Sequence, residues 1–168
     1  MNMDDLEIVI FSPDNFFKYR EYIHNIALPP EFYILSGQKR LSSKTIYLLK
    51  VTETRKRLFS KCTVPILIGY CIMFDSRCYK RSLGIYDIPE EIVAENPVVL
   101  SDFMIAEKYR GKGIGKQFAH YILNEVYAKD RICLHAVDDG LFFWDKFGFE
   151  DVDGSNSMKI LKDGERSI

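Results

Sequence analysis

The chain has little that would tie it to a metal, a membrane or an oxidising compartment. Its four cysteines, Cys62, Cys71, Cys78 and Cys133, form no Cys-x-x-Cys pair and its three histidines are scattered, so neither a zinc site nor a disulfide framework is suggested. Reduced thiols in a cytoplasm are the expectation. The longest apolar run, Val64 to Phe74, is interrupted by Gly69 and is far too short to span a bilayer. The acidic opening Met1-Asn2-Met3-Asp4-Asp5 has no basic n-region. An excess of one charge is also missing: 23 basic and 24 acidic residues leave a net charge of −1, with no global pull toward nucleic acid or membrane. No internal repeat, low-complexity tract or linker divides the sequence. What it does have is a hydrophobic content of 47% over 168 residues, enough for one well-buried core and too little chain for two ordinary domains. Residues 1–168 are therefore read as a single domain.

Leu6, Ile8 and Ile10 alternate along a first strand, and Ser12-Pro13 then offers a helix cap with proline at the first helical position. The helix runs to Ala27 with Phe16, Tyr19, Ile23 and Ile26 on one face, Pro29-Pro30 stops it, and a second short helix or turn covers Glu31 to Leu35 before the break at Ser36-Gly37. Thr45 to Thr52 and Val64 to Phe74 read as paired strands joined by a long polar connection containing Arg55-Lys56-Arg57. Asp75 to Pro97 is a loop with helical content at Pro89 to Ala94, and Val98 to Ile105 is a strand. A helix from Lys112 to Ala128 places Ile114, Phe118, Ile122 and Val126 on one face. Ile132 to Val137 forms a strand, Phe142, Phe143 and Phe147 belong to the core side of a short helix, and the last strand lies near Met158 to Leu161. The order β-α-α-β-β-β-α-β-α-β implies a mixed sheet flanked by helices.

Function concentrates between Asp102 and Gly115. The sequence Asp-Phe-Met-Ile-Ala-Glu-Lys-Tyr-Arg-Gly-Lys-Gly-Ile-Gly carries an apolar strand through a short turn into a glycine-rich helix start. A helix start offers unpaired N–H groups and a positive dipole end to a phosphate, provided no side chain keeps the oxygens away. Gly111, Gly113 and Gly115 remove that obstacle, while Arg110, Lys112 and Lys116 add cationic side chains. Together they suit a diphosphate. The turn lacks the Gly-Lys-Ser/Thr of a P-loop and the Gly-x-Gly-x-x-Gly of a dinucleotide fingerprint.

Arg110-x-x-Gly113-x-Gly115 after a strand resembles the acyl-coenzyme A loop of the GNAT superfamily of N-acetyltransferases, whose signature is Gln/Arg-x-x-Gly-x-Gly/Ala. Downstream, Ile132-Cys133-Leu134-His135-Ala136-Val137 and then Leu141-Phe142-Phe143-Trp144-Asp145-Lys146-Phe147-Gly148-Phe149 are similar to the family's closing strand and short helix. The likeness covers roughly residues 44 to 161. It implies an α/β fold of the α+β type: a central mixed, mostly antiparallel sheet flanked by helices, with a splayed strand pair at the cofactor site. It implies acetyl-CoA as acyl donor, its pantetheine arm on the backbone of Phe103, Met104 and Ile105 and its diphosphate on Arg110, Gly111, Lys112, Gly113, Ile114, Gly115 and Lys116. An amine acceptor, small molecule or protein, would attack the thioester directly in a ternary complex.

Proton handling falls to Asp102, on the cofactor strand, or His135, on the opposing strand, each of which has a purely structural alternative. Trp144 occupies the position where many family members carry a tyrosine that protonates the leaving thiolate, and indole is no useful acid. Two further readings follow. Leu134-His135-Ala136, Phe143-Trp144-x-x-Phe147-Gly148-Phe149 and Ile88-Pro89-Glu90-Glu91 are similar to a toxin branch that acetylates aminoacyl-tRNA, whereas Trp144 also suits a non-catalytic module that binds acyl-CoA or a partner. Lys39 to Lys61 holds eight basic residues against the single acid Glu53, which reads as a solvated strand edge ahead of an RNA patch. No membrane partner is expected, and the oligomeric state is open, a homodimer included.

Overall fold

The computed structural model describes residues 6–11, 44–57, 60–76, 89–137, 140–153 and 157–161. The helices expected over Ser12 to Ala27 and Glu31 to Leu35, the break at Ser36-Gly37, the first residues of the basic stretch and most of the loop after Asp75 lie outside them. The chain divides into two compact units, one of Met1–Ile72 with Asp102–Gly115 and one of Met73–Ser101 with Lys116–Ile168.

In the first unit, β1 (Leu6–Phe11) pairs antiparallel with β2 (Lys44–Arg57), from Leu6↔Val51 to Phe11↔Ile46. Glu7 stands opposite Lys50 in that register, and the two side chains form an ion pair at 2.7 Å. β3 (Ser60–Asp75) follows beside β2, and β4 (Val98–Ile105) beside β3. Both inner strands bury consecutive residues, Ile46 to Leu49 on β2 and Tyr70 to Ile72 on β3, so both faces are covered there. β2 runs five residues past Thr52 and β3 starts at Ser60 rather than Val64. Arg55-Lys56-Arg57 thus belongs to a strand, against expectation, because the ladder is made by main-chain groups and the β-branched Thr52 and Thr54 suit it despite their polarity. Gly69 marks a close approach: a Cβ there would come 2.7 Å from both Ile105 Cδ1 and the Met104 carbonyl oxygen.

In the second unit, β4 pairs in parallel with β5 (Ile132–His135) from Val98↔Ile132 to Leu100↔Leu134. β5 pairs antiparallel with β7 (Met158–Leu161), whose other neighbour is the two-residue β6 (Glu150–Asp151). Among the described residues seven strands are hydrogen-bonded in the order β1-β2-β3-β4-β5-β7-β6, an α+β arrangement with a mixed sheet, as expected. β5 ends two residues before Val137, which is 71% exposed and whose carbonyl accepts the Gly140 N–H at 2.8 Å in the next turn.

Among the described residues the helices are α1 (Glu90–Ala94), α2 (Ile114–Tyr121) and α3 (Leu141–Asp145), with a 3₁₀ turn over Glu107–Tyr109. α2 starts two residues later than its apolar spacing suggests and passes into a π turn, Ile122–Val126. The wider turn shifts the helical phase: Ile114, Phe118 and Ile122 are buried as expected, Ala119 and Leu123 join them, and Val126 is 36% exposed instead. α3 corrects another expectation. Phe147 is buried, but Phe142 is 76% exposed, because the helical turn directs Trp144 and Phe147 inward and leaves Phe142 on the far side. Among the described residues no helix is long and apolar enough to cross a membrane.

Candidate functional site

The strand-to-helix junction of the first unit is built from the backbone outward. β4 ends at Ile105, and the Ala106 N–H donates to the Ile68 carbonyl at 2.8 Å, which anchors the chain to β3 as it leaves the sheet. The 3₁₀ turn follows, closed by Tyr109 N–H to Ala106 O at 2.8 Å and Arg110 N–H to Glu107 O at 3.0 Å. Gly111 and Gly113 then adopt φ of +72° and +77°. These values delay α2 to Ile114, since they belong to the left-handed region that favours glycine.

A Cβ built on either glycine would meet no atom within 4 Å, and Arg110 through Gly113 are exposed. The main chain there faces open space. Among the described residues the N–H groups of Gly111, Lys112 and Gly113 have no acceptor, and the first turn of α2 adds more N–H groups that a helix leaves unsatisfied. This is room and donor chemistry for a phosphate-bearing ligand. Arg110 Nε donates to the Ile105 carbonyl at 2.7 Å, which ties the guanidinium to the end of β4 and leaves its Nη groups as further donors. Lys112 Nζ donates to the Lys108 carbonyl at 3.2 Å, and both lysine ammonium groups stand over the Tyr109 ring, at 5.3 Å for Lys108 and 5.6 Å for Lys112. Lys116 is exposed on the first turn of α2.

Phe103, Met104 and Ile105 form the last three residues of β4, with Ile105 buried and the other two half-buried. The parallel ladder of β4 with β5 reaches only Leu100↔Leu134, while β4 continues through Ile105. Asp102 is half-buried in that continuation. It contributes to raising the Cys71 thiol far above its usual range, behind burial as the main cause.

The other two sequence candidates belong to the second unit. His135 ends β5, half-buried, with Nδ1 at 3.3 Å from Ser157 Oγ, and burial lowers its pKa so that the neutral ring is favoured. Trp144 is 6% exposed on α3 and packs edge-on against Phe143 at 4.8 Å and against Phe149 at 5.5 Å, with Phe147 at 6.0 Å. Cys133, two residues before His135, is pushed up to about 12 by burial, partly offset by a main-chain hydrogen bond, and so stays a neutral thiol. Among the described residues no group of His, Cys, Asp and Glu could hold a metal ion.

Three contacts escape the sequence reading. Glu53 accepts the Tyr109 hydroxyl at 2.5 Å, Ser157 meets His135, and the buried Lys159 reaches Asp145 and Asp151, each at 2.7 Å. Only Glu53 left a trace in the sequence, as the one acid in a basic stretch.

No protein-family model matches the sequence, and no curated protein matches it either. Solved structures do. AtaTR bound with acetyl-CoA is 18% identical with a TM-score of 0.61, covering 95% of this chain and 94% of that one. A tyrosine-to-phenylalanine mutant of the toxin AtaT, bound to the C-terminus of the antitoxin AtaR, is 19% identical with a TM-score of 0.59 over 94% of this chain and 92% of that one. An acetyltransferase from Thermus thermophilus is 17% identical with a TM-score of 0.52, covering 95% and 97%. The chain has the fold of the GNAT acetyltransferases.

Proposed function

We propose that this chain, acting as one domain over residues 1–168, transfers the acetyl group of acetyl-CoA to a primary amine. The observation that carries the reading is the Gly111 to Gly113 turn: two left-handed glycines, exposed amides without an acceptor among the described residues, and Arg110 tied to the Ile105 carbonyl. Such a turn suits the coenzyme's diphosphate, with Ile114, Gly115 and Lys116 completing the helix start. The main chain of Phe103, Met104 and Ile105 would align the pantetheine arm as an added strand. The acetyl-CoA named for AtaTR and the shared fold support the same donor.

In the reaction the amine nitrogen attacks the thioester carbonyl, the C–N bond forms, the nitrogen sheds its surplus proton to solvent, and the C–S bond breaks as the oxyanion collapses to the amide. The ammonium must first lose a proton, for which Asp102 is the first candidate and His135 the second. The lowered pKa of His135 keeps its ring neutral but also makes it the weaker base, which places it behind Asp102. Trp144 fits an apolar wall rather than an acid, given its packing among Phe143, Phe147 and Phe149, so the thiolate takes its proton from solvent or another group. The expected outcome is thiol release from acetyl-CoA that depends on one member of an amine panel. Failure of the chain to bind the coenzyme excludes the reading.

The likeness to the toxin AtaT favours a second reading, in which the acceptor is the amino group of aminoacyl-tRNA. It predicts that expression arrests growth and that charged tRNA becomes acetylated; unaffected translation removes it. A non-catalytic acyl-CoA-binding module is the third. Robust turnover by the native protein ends that reading, whereas a large gain on Trp144→Tyr supports it.

A further inference from the structure

Glu53 stands on β2, far in sequence from the glycine turn, and is the only acid between Lys39 and Lys61. Its carboxylate oxygen Oε1 accepts the hydroxyl of Tyr109 at 2.5 Å, and Lys108 Nζ reaches the same oxygen at 3.4 Å. The two contacts are unequal. Lys108 has 74% of its side chain exposed, so its ion pair is screened and weak. Tyr109 is only 7% exposed, and a hydroxyl donating to a carboxylate in that setting forms a charge-assisted bond.

Tyr109 closes the 3₁₀ turn, and the next residue, Arg110, is held to β4 through the Ile105 carbonyl at 2.7 Å. The segment leading into Gly111 is therefore fixed at two adjacent points, one on each of two strands. Beyond it the amides of Gly111, Lys112 and Gly113 have no acceptor of their own among the described residues, so their direction is inherited from the anchored residues before them. Glycine makes that dependence acute, since it restricts its own backbone least. The Lys108 and Lys112 ammonium groups both stand over the Tyr109 ring, at 5.3 and 5.6 Å.

We infer that Glu53 is a positioning residue: by holding the Tyr109 hydroxyl it sets the direction of the glycine amides and so tunes affinity for the diphosphate part of the coenzyme alone. The inference rests on the proposed coenzyme site. It predicts a loss specific to the diphosphate, because the latch bears on the turn and not on the strand that would take the pantetheine arm.

The test compares dissociation constants for acetyl-CoA and for acetylpantetheine, which carries the same thioester arm without the diphosphate. Tyr109→Phe keeps the buried ring and deletes only the hydroxyl; it should weaken acetyl-CoA about tenfold and leave acetylpantetheine unchanged. Glu53→Gln, which still offers an oxygen, should lose about threefold, and the double variant no more than Tyr109→Phe alone. Equal weakening of both donors in either variant, or full affinity for acetyl-CoA in Tyr109→Phe, overturns the latch while leaving the coenzyme site standing. If the unaltered chain binds no acetyl-CoA, the functional reading fails and the latch fails with it.

Discussion

A side chain at Gly113 would find space, since no atom lies within 4 Å of its Cβ position, yet its φ of +77° is one that L-residues adopt at a cost. Gly113→Ala should therefore lower stability by about 1 kcal/mol through backbone strain rather than crowding. It should also turn the neighbouring amides and weaken acetyl-CoA by about tenfold, read by calorimetry beside a thermal melt. His135 offers a second check at this scale. Its pKa in the folded chain lies below the ordinary 6.5, so on acidification the unfolded chain takes up the proton first. The stability it contributes is complete above pH ~6.5 and is lost as pH falls toward the lowered folded value. His135→Gln should flatten the fall in Tm between about pH 7 and pH 5 relative to the unaltered chain, and an identical slope would refute the assignment.

Residues of the turn were legible because glycine and arginine there are chosen by backbone and charge, which a sequence displays directly. Trp144 and Phe142 were not. Both are large and aromatic, and only the phase of α3 decides that one is 6% exposed and the other 76%.

At the scale of elements, one side chain of β7 in the second unit bridges α3 and the short β6, beside the main-chain pairing of β6 with β7. Lys159 is 3% exposed and its ammonium bridges Asp145 on α3 and Asp151 on β6, which raises its pKa above 10.5. A raised lysine pKa means its contribution is complete below pH ~10.5 and is lost as pH rises through the folded value. The two aspartates are 47% and 72% exposed, so they remain hydrated when the lysine is gone. Lys159→Met, which keeps the buried stem, should thus cost about 1–2 kcal/mol rather than the larger penalty of a stranded buried charge. Amide exchange at Val152, whose N–H donates to the Met158 carbonyl at 2.9 Å, should speed up; unchanged protection there would show that the bridge does not hold β6.

Strands with alternating or continuous apolar residues were readable in place, to the residue for Val98–Ile105, though the ends of β2, β3 and β5 differ from their apolar runs. The polar end of β2 and the two residues of β6 were not, since pairing with a neighbour rather than side-chain character makes them strands. The π turn was hidden for a related reason: it changes the helical repeat without a residue that announces it.

For the whole molecule, a net charge of −1 leaves recognition to local groups. Within the basic stretch Lys50 is already paired with Glu7, and Glu53 holds Tyr109, so this stretch contributes to the fold as well as to the surface. The strand order was beyond the sequence, because nothing in the composition of β6 and β7 says that β7 lies between β5 and β6. The strand, glycine turn and helix that make the candidate site were contiguous in sequence and therefore visible in it. That local character also makes the central claim directly measurable. Adding acetyl-CoA to ¹⁵N-labelled protein should move the amide resonances of Gly111, Lys112, Gly113, Ile114 and Gly115 more than any others. Resonances of those five residues that stay in place at saturating coenzyme would contradict the account.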